Sequence, residues 1–150
     1  MTKKIIIIGS GFSSISASTY LADKGYDVTI LEKNKSFGGR ARKFKAQGFT
    51  FDMGPSWYWM PDVFEKYFND FNKKVDDYYT LKKLDPAYRV YFAKNDFIEI
   101  GDNLEKISQT FEEHEKGSSK KLMKFMAEAK KNYSIAMEKV VYKPGESILE

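Results

Sequence analysis

A chain of 150 residues is long enough for one folded domain, and 42% hydrophobic with 16% aromatic content excludes a disordered chain. There is no cysteine and one histidine, His114, so disulfides and cysteine-held metals are excluded, and a metal site or a histidine-based triad has almost no material. The net charge of +4 is uneven: residues 1–50 hold nine Lys and Arg against three acids, giving +6, and the remainder carries −2. That distribution suits a dianionic ligand near the N-terminus better than a nucleic-acid track, and no zinc-finger or RNP-type motif is present.

The first element is Ile5-Ile6-Ile7-Ile8, an unbroken β-branched run that predicts a parallel strand buried on both faces. Gly9 lets the chain turn out of that strand. Gly11, having no Cβ, allows the backbone and the first helical N–H groups to approach a pyrophosphate at a helix N-terminus. Ser14 occupies the third fingerprint position, where glycine would seat the helix close to the strand, so a slightly wider gap is expected. The hydroxyls of Ser13 and Ser14 add hydrogen-bonding capacity there. Ile15, Ala17, Ser18, Leu21 and Ala22 predict a small, apolar helix face, with Gly25 as the C-cap.

Asp27-Val28-Thr29-Ile30-Leu31 predicts a second strand, and Glu32 falls at its C-terminal end. A carboxylate about 20 residues after the glycine turn is the acceptor that takes ribose hydroxyls and repels a 2′-phosphate. The βαβ order therefore favours an ADP-containing cofactor over a purely structural strand-to-helix turn.

A polar loop, Lys33 to Ala41, follows and closes on Gly38-Gly39-Arg40. The glycine pair permits close backbone approach, and Arg40 brings a permanent charge and a fork of donors suited to phosphate oxygens. Phe44 to Asp52 alternates as a short hairpin and runs into Met53-Gly54-Pro55-Ser56-Trp57.

Taken together, Gly9-x-Gly11, Glu32, Gly38-Gly39-Arg40 and Gly48-Phe49-x-Phe51-Asp52-x-Gly54-Pro55 resemble the start of the bacterial phytoene desaturases, carotenoid desaturases related to flavin amine oxidases. The resemblance continues through Pro61-Asp62-Val63-Phe64. It implies FAD as cofactor, with Gly9, Gly11, Ser13 and Ser14 at the pyrophosphate, Glu32 at the ribose, and Gly39 and Arg40 near the pyrophosphate and ribityl chain. Phe12 and Lys33 belong to the same cofactor-binding set, and Gly54, Pro55 and Ser56 lie beside the flavin. Family members dehydrogenate a long apolar polyene such as phytoene while the flavin accepts the electrons. The resemblance thus implies an FAD-dependent oxidoreductase of carotenoid biosynthesis, cytoplasmic and peripheral on the inner face of the membrane. It assigns no catalytic acid or base within these residues.

Beyond the flavin-proximal motif, Trp57-Tyr58-Trp59-Met60 reads equally as the wall of an apolar path or as core packing. Pro61 opens a helix through about Phe71 with Val63, Phe64, Tyr67, Phe68 and Phe71 on a core-facing stripe. Tyr79–Leu84, Tyr88–Ala93 and Phe97–Ile100 predict antiparallel strands, with turns at Asp85-Pro86 and Lys94-Asn95-Asp96. Arg89 reads as an exposed strand arginine in preference to a substrate-side charge.

Leu104, Ile107 and Phe111 mark a helix ending near Gly117, and Ser118 is expected to cap a long helix. That helix carries Leu122, Phe125, Met126, Ala129, Tyr133, Ala136, Met137, Val140 and Val141 on a core side. Its other side holds Lys120, Lys121, Lys124, Lys130, Lys131 and Lys139, a solvated face that is also compatible with an anionic membrane.

The expected class is α/β: a Rossmann-like FAD-binding βαβ unit with an antiparallel sheet and a helical insertion, forming an incomplete domain. Residues 1–56 read as the N-terminal part of the FAD-binding domain and 57–150 as the start of a substrate domain. The chain reads as an N-terminal fragment, inactive by itself. Two alternatives are a different flavin enzyme (carotenoid isomerase, oxygenase or amine oxidase) and a non-catalytic module that binds NAD or ADP.

Overall fold

The computed structural model of the protein describes residues 2–54 and 57–144. Two compact units divide between Tyr78 and Tyr79. In the first, β1 (Lys4–Ile8), α1 (Phe12–Asp23) and β2 (Asp27–Leu31) form a βαβ unit whose strands pair in parallel, Ile5 opposite Val28 and Ile7 opposite Ile30. The helix stops where the sequence predicts. Gly25 adopts φ +83°, and the N–H groups of Gly25 and Tyr26 return to the carbonyls of Ala22 and Leu21.

Burial alternates along both strands: Ile5, Ile7, Val28 and Ile30 are half-buried, while Ile6 and Ile8 are 66% and 85% exposed. The expectation of a strand buried on both faces is thus corrected. Two strands and one helix supply a single covering layer, so β-branched residues on the opposite face stand in solvent.

β3 (Lys43–Ala46) and β4 (Phe49–Asp52) form the expected hairpin through Gln47-Gly48, both with positive φ, and Phe44 stacks on Phe51 at 4.9 Å between ring centroids. α2 (Pro61–Asp70) packs its aromatic stripe on α1. Phe64 meets Phe12 edge-on at 6.0 Å, and Tyr20 meets Tyr67 and Phe71 at 5.9 and 4.9 Å. Two hydroxyls fasten the same seam: Tyr67 donates to Thr19 Oγ1 at 2.8 Å and Tyr20 to Asp70 at 2.6 Å. The stripe is half-buried, so the expected core is an aromatic seam with solvent access. This compact unit runs to Tyr78 and so includes α2.

In the second unit, β5 (Tyr88–Ala93) and β6 (Asp96–Ile100) form an antiparallel pair turned by Lys94-Asn95. Tyr79–Leu84 is not a strand, correcting the expected third one: among the described residues this sheet has two strands, and alternation alone supplies no ladder. Arg89 is an exposed strand residue, as expected, donating across to Glu99 at 2.7 Å and lying 5.1 Å over the Phe97 ring.

α3 (Leu104–His114) is N-capped by Asn103, whose side-chain oxygen accepts from the Lys106 N–H at 3.0 Å. His114 is exposed, bonded to the Thr110 carbonyl one turn earlier. α4 (Ser118–Ala136) continues into a π-helical turn over Met137–Val141.

Ser118 does not cap α4. Gly117 is the N-cap, at φ +84°, and Glu112 from α3 accepts the N–H groups of Gly117 at 2.7 Å and Ser119 at 3.0 Å, while the Ser118 hydroxyl is buried without a hydrogen bond. A carboxylate reaching across the corner is a stronger acceptor than the local hydroxyl, and it displaces the expected cap. The apolar side of α4 is also more open than expected, with Phe125 64% and Val140 66% exposed. α3 has 11 residues against 19 in α4 and covers only part of its length.

Candidate dinucleotide site

The carboxyl ends of β1 and β2 lie side by side, because the Gly9 N–H donates to the Leu31 carbonyl at 2.7 Å. Gly9 turns out of the sheet at φ +96°, a conformation that favours glycine. Gly11 then serves as the N-cap of α1 without any side-chain cap, and no acidic residue sits in the first turn. A Cβ on Gly11 would meet nothing within 4 Å. The first turn of α1 thus carries neither a side-chain cap nor an acid among the described residues, the condition under which a helix N-terminus takes a phosphate.

Of the residues in that turn, Ser13 is exposed and Ser14 half-buried, and neither hydroxyl has a partner among the described residues. Phe12 turns its ring to Phe64 of α2, a packing role for a residue expected at the cofactor.

Glu32 stands directly after β2, and both of its oxygens are engaged. Oε2 accepts the Ser10 N–H at 2.9 Å and the Ser10 hydroxyl at 2.6 Å. Oε1 accepts the Asn34 N–H at 2.8 Å and its side-chain amide at 2.7 Å. The Ser10 hydroxyl first, then the Asn34 and Ser10 N–H groups, hold the Glu32 carboxyl down at about 2, so it is ionised at neutral pH. Lys33 is exposed beside it. Neither Ser10 nor Asn34 was singled out from the sequence. Their signal is local, a hydroxyl between the two glycines and an amide two residues after the acid.

The second glycine motif is brought to the same place. Gly38 at φ +104° donates its N–H to the Ser10 carbonyl at 2.8 Å, and a Cβ on Gly39 would lie 3.1 Å from Gly11 Cα. Arg40, in the 3-10 turn Gly39–Ala41, is exposed and makes no ion pair among the described residues. Its carbonyl is covered by Gly54, at φ +93°, where an added Cβ would collide with that oxygen. The Met53 N–H donates to the Arg42 carbonyl at 2.7 Å, tying the hairpin to the turn. Gly9, Gly11, Glu32, Gly39, Arg40 and Gly54 are therefore one contiguous assembly. Pro55 and Ser56 lie outside the described residues.

After that motif Trp57 and Trp59 stack at 5.9 Å with more than half of each exposed, while Tyr58 stacks on Phe64 at 4.9 Å. Among the described residues no group of three or more His, Cys, Asp or Glu could hold a metal, and no helix is long and apolar enough to cross a membrane.

Residues 7–73 match the NAD(P)-binding Rossmann-like domain family. The chain is 45% identical over 138 residues to the carotenoid 3,4-desaturase of Haloarcula japonica, covering 92% of this chain and 28% of that protein. It is 38% identical over 146 residues to the 4,4′-diapophytoene desaturase (4,4′-diaponeurosporene-forming) of Staphylococcus haemolyticus, covering 95% and 29%. It thus spans under a third of the length of these relatives. Among solved structures, a CLA-producing fatty acid isomerase from P. acnes overlaps half of this chain and 18% of its own, at TM-score 0.39 and 28% identity, too slight a match to carry a structural comparison. Over most of its own length the chain is thus similar to carotenoid desaturases, and its βαβ unit falls within the residues that match the Rossmann-like family.

Proposed function

We infer that this homologue of the carotenoid desaturases supplies the adenylate-binding part of an FAD-dependent enzyme that desaturates a phytoene-like polyene. The carrying observation is the convergence of three separated motifs on the uncapped end of α1: Gly38 bonds Ser10, Gly39 abuts Gly11, and Gly54 covers the Arg40 carbonyl. A simple structural turn needs none of these close approaches.

In this reading the N–H groups of Phe12, Ser13 and Ser14 receive the pyrophosphate, with Gly9 and Gly11 keeping side chains out of its way. Glu32 receives the adenosine ribose and repels a 2′-phosphate, which favours FAD or NAD over NADP. Lys33 adds positive charge beside it. Arg40 neutralises phosphate charge, and Gly54, Pro55 and Ser56 border the flavin. Bound flavin supplies a two-electron acceptor for removal of hydride and proton from adjacent carbons. The residues here bind and orient it.

Residues 1–56 would then belong to the FAD domain and 57–150 to the beginning of the substrate domain. The paired Trp57 and Trp59 offer an apolar wall for a polyene. The α4 lysines would favour the anionic cytoplasmic face of a membrane, where such a substrate is dissolved.

The match to an NAD(P)-binding family favours a second reading, a module that holds NAD or ADP without catalysis. One preparation separates the two. The complete protein purifies yellow with flavin absorption if it is a flavoenzyme and colourless if it is an NAD module. Expression in cells that accumulate phytoene then tests the chemistry, since an isomerase, oxygenase or amine oxidase would leave the number of conjugated double bonds unchanged.

A further inference from the structure

We propose that the ribose acceptor of this chain is a three-residue network, Ser10–Glu32–Asn34, and that Ser10 and Asn34 set the preference for an unmodified ribose diol. The inference rests on the reading of this end of the βαβ unit as a dinucleotide site. A carboxylate offers about four lone-pair directions, and Glu32 fills them with four bonds from two residues, two at each oxygen. A diol arriving at Glu32 therefore does not find a free carboxylate. It finds a hydroxyl and an amide already docked on one.

Both side chains can extend the acceptor surface. The Ser10 hydroxyl donates to Oε2 and keeps its own lone pairs, and the Asn34 amide donates through Nδ2 while its oxygen accepts no bond among the described residues. Each can receive a ribose hydroxyl proton while its other contact holds the carboxylate still.

Ser10 is also buried and held at three points. It is 5% exposed, its N–H and hydroxyl go to Glu32, and its carbonyl accepts the Gly38 N–H. The residue that fixes the acid is therefore also the one that joins the two glycine motifs. Asn34 fixes the opposite oxygen from the far side of β2's end. A glutamate free to sample its rotamers would lose that freedom on binding; this one has already lost it.

The test uses the complete protein and two probes, ADP and 2′-deoxy-ADP, titrated by calorimetry with circular dichroism as the folding check. The intact network should prefer ADP by about tenfold, the scale of one well-made neutral hydrogen bond. Ser10→Ala and Asn34→Ala each keep a backbone N–H bond to Glu32 and should reduce the preference to about twofold. If both probes weaken equally in the single variants and the preference survives, Ser10 and Asn34 are merely structural and the inference is overturned, while the nucleotide reading stands. If the unaltered protein binds neither probe, the nucleotide reading falls and the inference with it.

Discussion

Gly39 lies against Gly11 so closely that a methyl carbon added to Gly39 would come within 3.1 Å of Gly11 Cα. Two glycines 28 positions apart in the chain thus form one backbone contact, and the turn carrying Arg40 is held to the loop that opens α1. Gly39 also has φ +60°, where a Cβ costs about 1 kcal/mol before any contact is considered. Gly39→Ala should therefore destabilise the protein by about 1–2 kcal/mol in urea unfolding. By shifting the loop around Gly11 it should also lower flavin content by more than tenfold. A variant that purifies with unchanged flavin would remove this contact from the cofactor site.

Gly54 and Gly48 offer an internally controlled comparison. Both have positive φ, +93° and +84°, so alanine strains the backbone at each. At Gly48 the added carbon meets nothing within 4 Å, whereas at Gly54 it runs into the Arg40 carbonyl oxygen. Gly48→Ala should cost about 1 kcal/mol and Gly54→Ala about 1–3 kcal/mol more. Equal losses in denaturant titrations would mean that the hairpin base does not brace the Arg40 turn.

Glu32 gives a pH dependence of definite sign. Hydrogen bonds from Ser10 and Asn34 hold its carboxyl at about 2, below the ordinary value of 4.5. A depressed folded value means that the stabilisation is present in full above about 4.5 and is lost as pH falls from there through about 2. Melting temperature should therefore drop across that window in the unaltered protein. In Glu32→Gln the Glu32 component of the drop should be missing, so the two curves converge toward pH 2. Parallel curves over the whole range would contradict the hydrogen bonding seen at Ser10 and Asn34.

The legible parts of this fold were those decided by neighbours in sequence. The Asp27–Leu31 strand, the Gly25 stop, the Phe44–Asp52 hairpin and the Pro61 start all depend on local backbone preference, and all were found where expected. Tyr79–Leu84 reads as a strand from its residues, yet a strand needs a ladder partner, which local pattern does not supply. Ser118 lost the cap to Glu112 because the better acceptor came from another helix. Ile6 and Ile8 read as buried from their composition, but burial depends on whether a second layer is present. The site followed the same division: Gly9, Gly11 and Glu32 were visible from spacing, while Ser10 and Asn34 emerged only once the strands were aligned.

The α3–α4 corner depends on Glu112, whose carboxyl is held below its ordinary value by the N–H groups of Gly117 and Ser119. Glu112→Ala leaves those two donors without their acceptor at the start of α4. The variant should melt several degrees lower and lose helical ellipticity. Unchanged melting would show that solvent caps α4 equally well.

The seam between α1 and α2 tests whether the aromatic stripe belongs with the nucleotide unit. Tyr67 donates to Thr19 Oγ1, and Thr19 donates in turn to the Ile15 carbonyl at 2.9 Å, so the phenol adds to a chain of bonds running into α1. Tyr67→Phe keeps the ring contacts with Tyr20 and Phe71 and removes only that donor, an expected loss of about 1 kcal/mol. Tyr67→Ala also removes the half-buried ring, which raises the expected loss to about 2–3 kcal/mol. Both should appear in the same cooperative urea transition that reports on α1, followed through amide exchange at Leu21 and Ala22. If exchange there is unmoved while α2 loosens, the two helices unfold separately and the aromatic seam does not couple them.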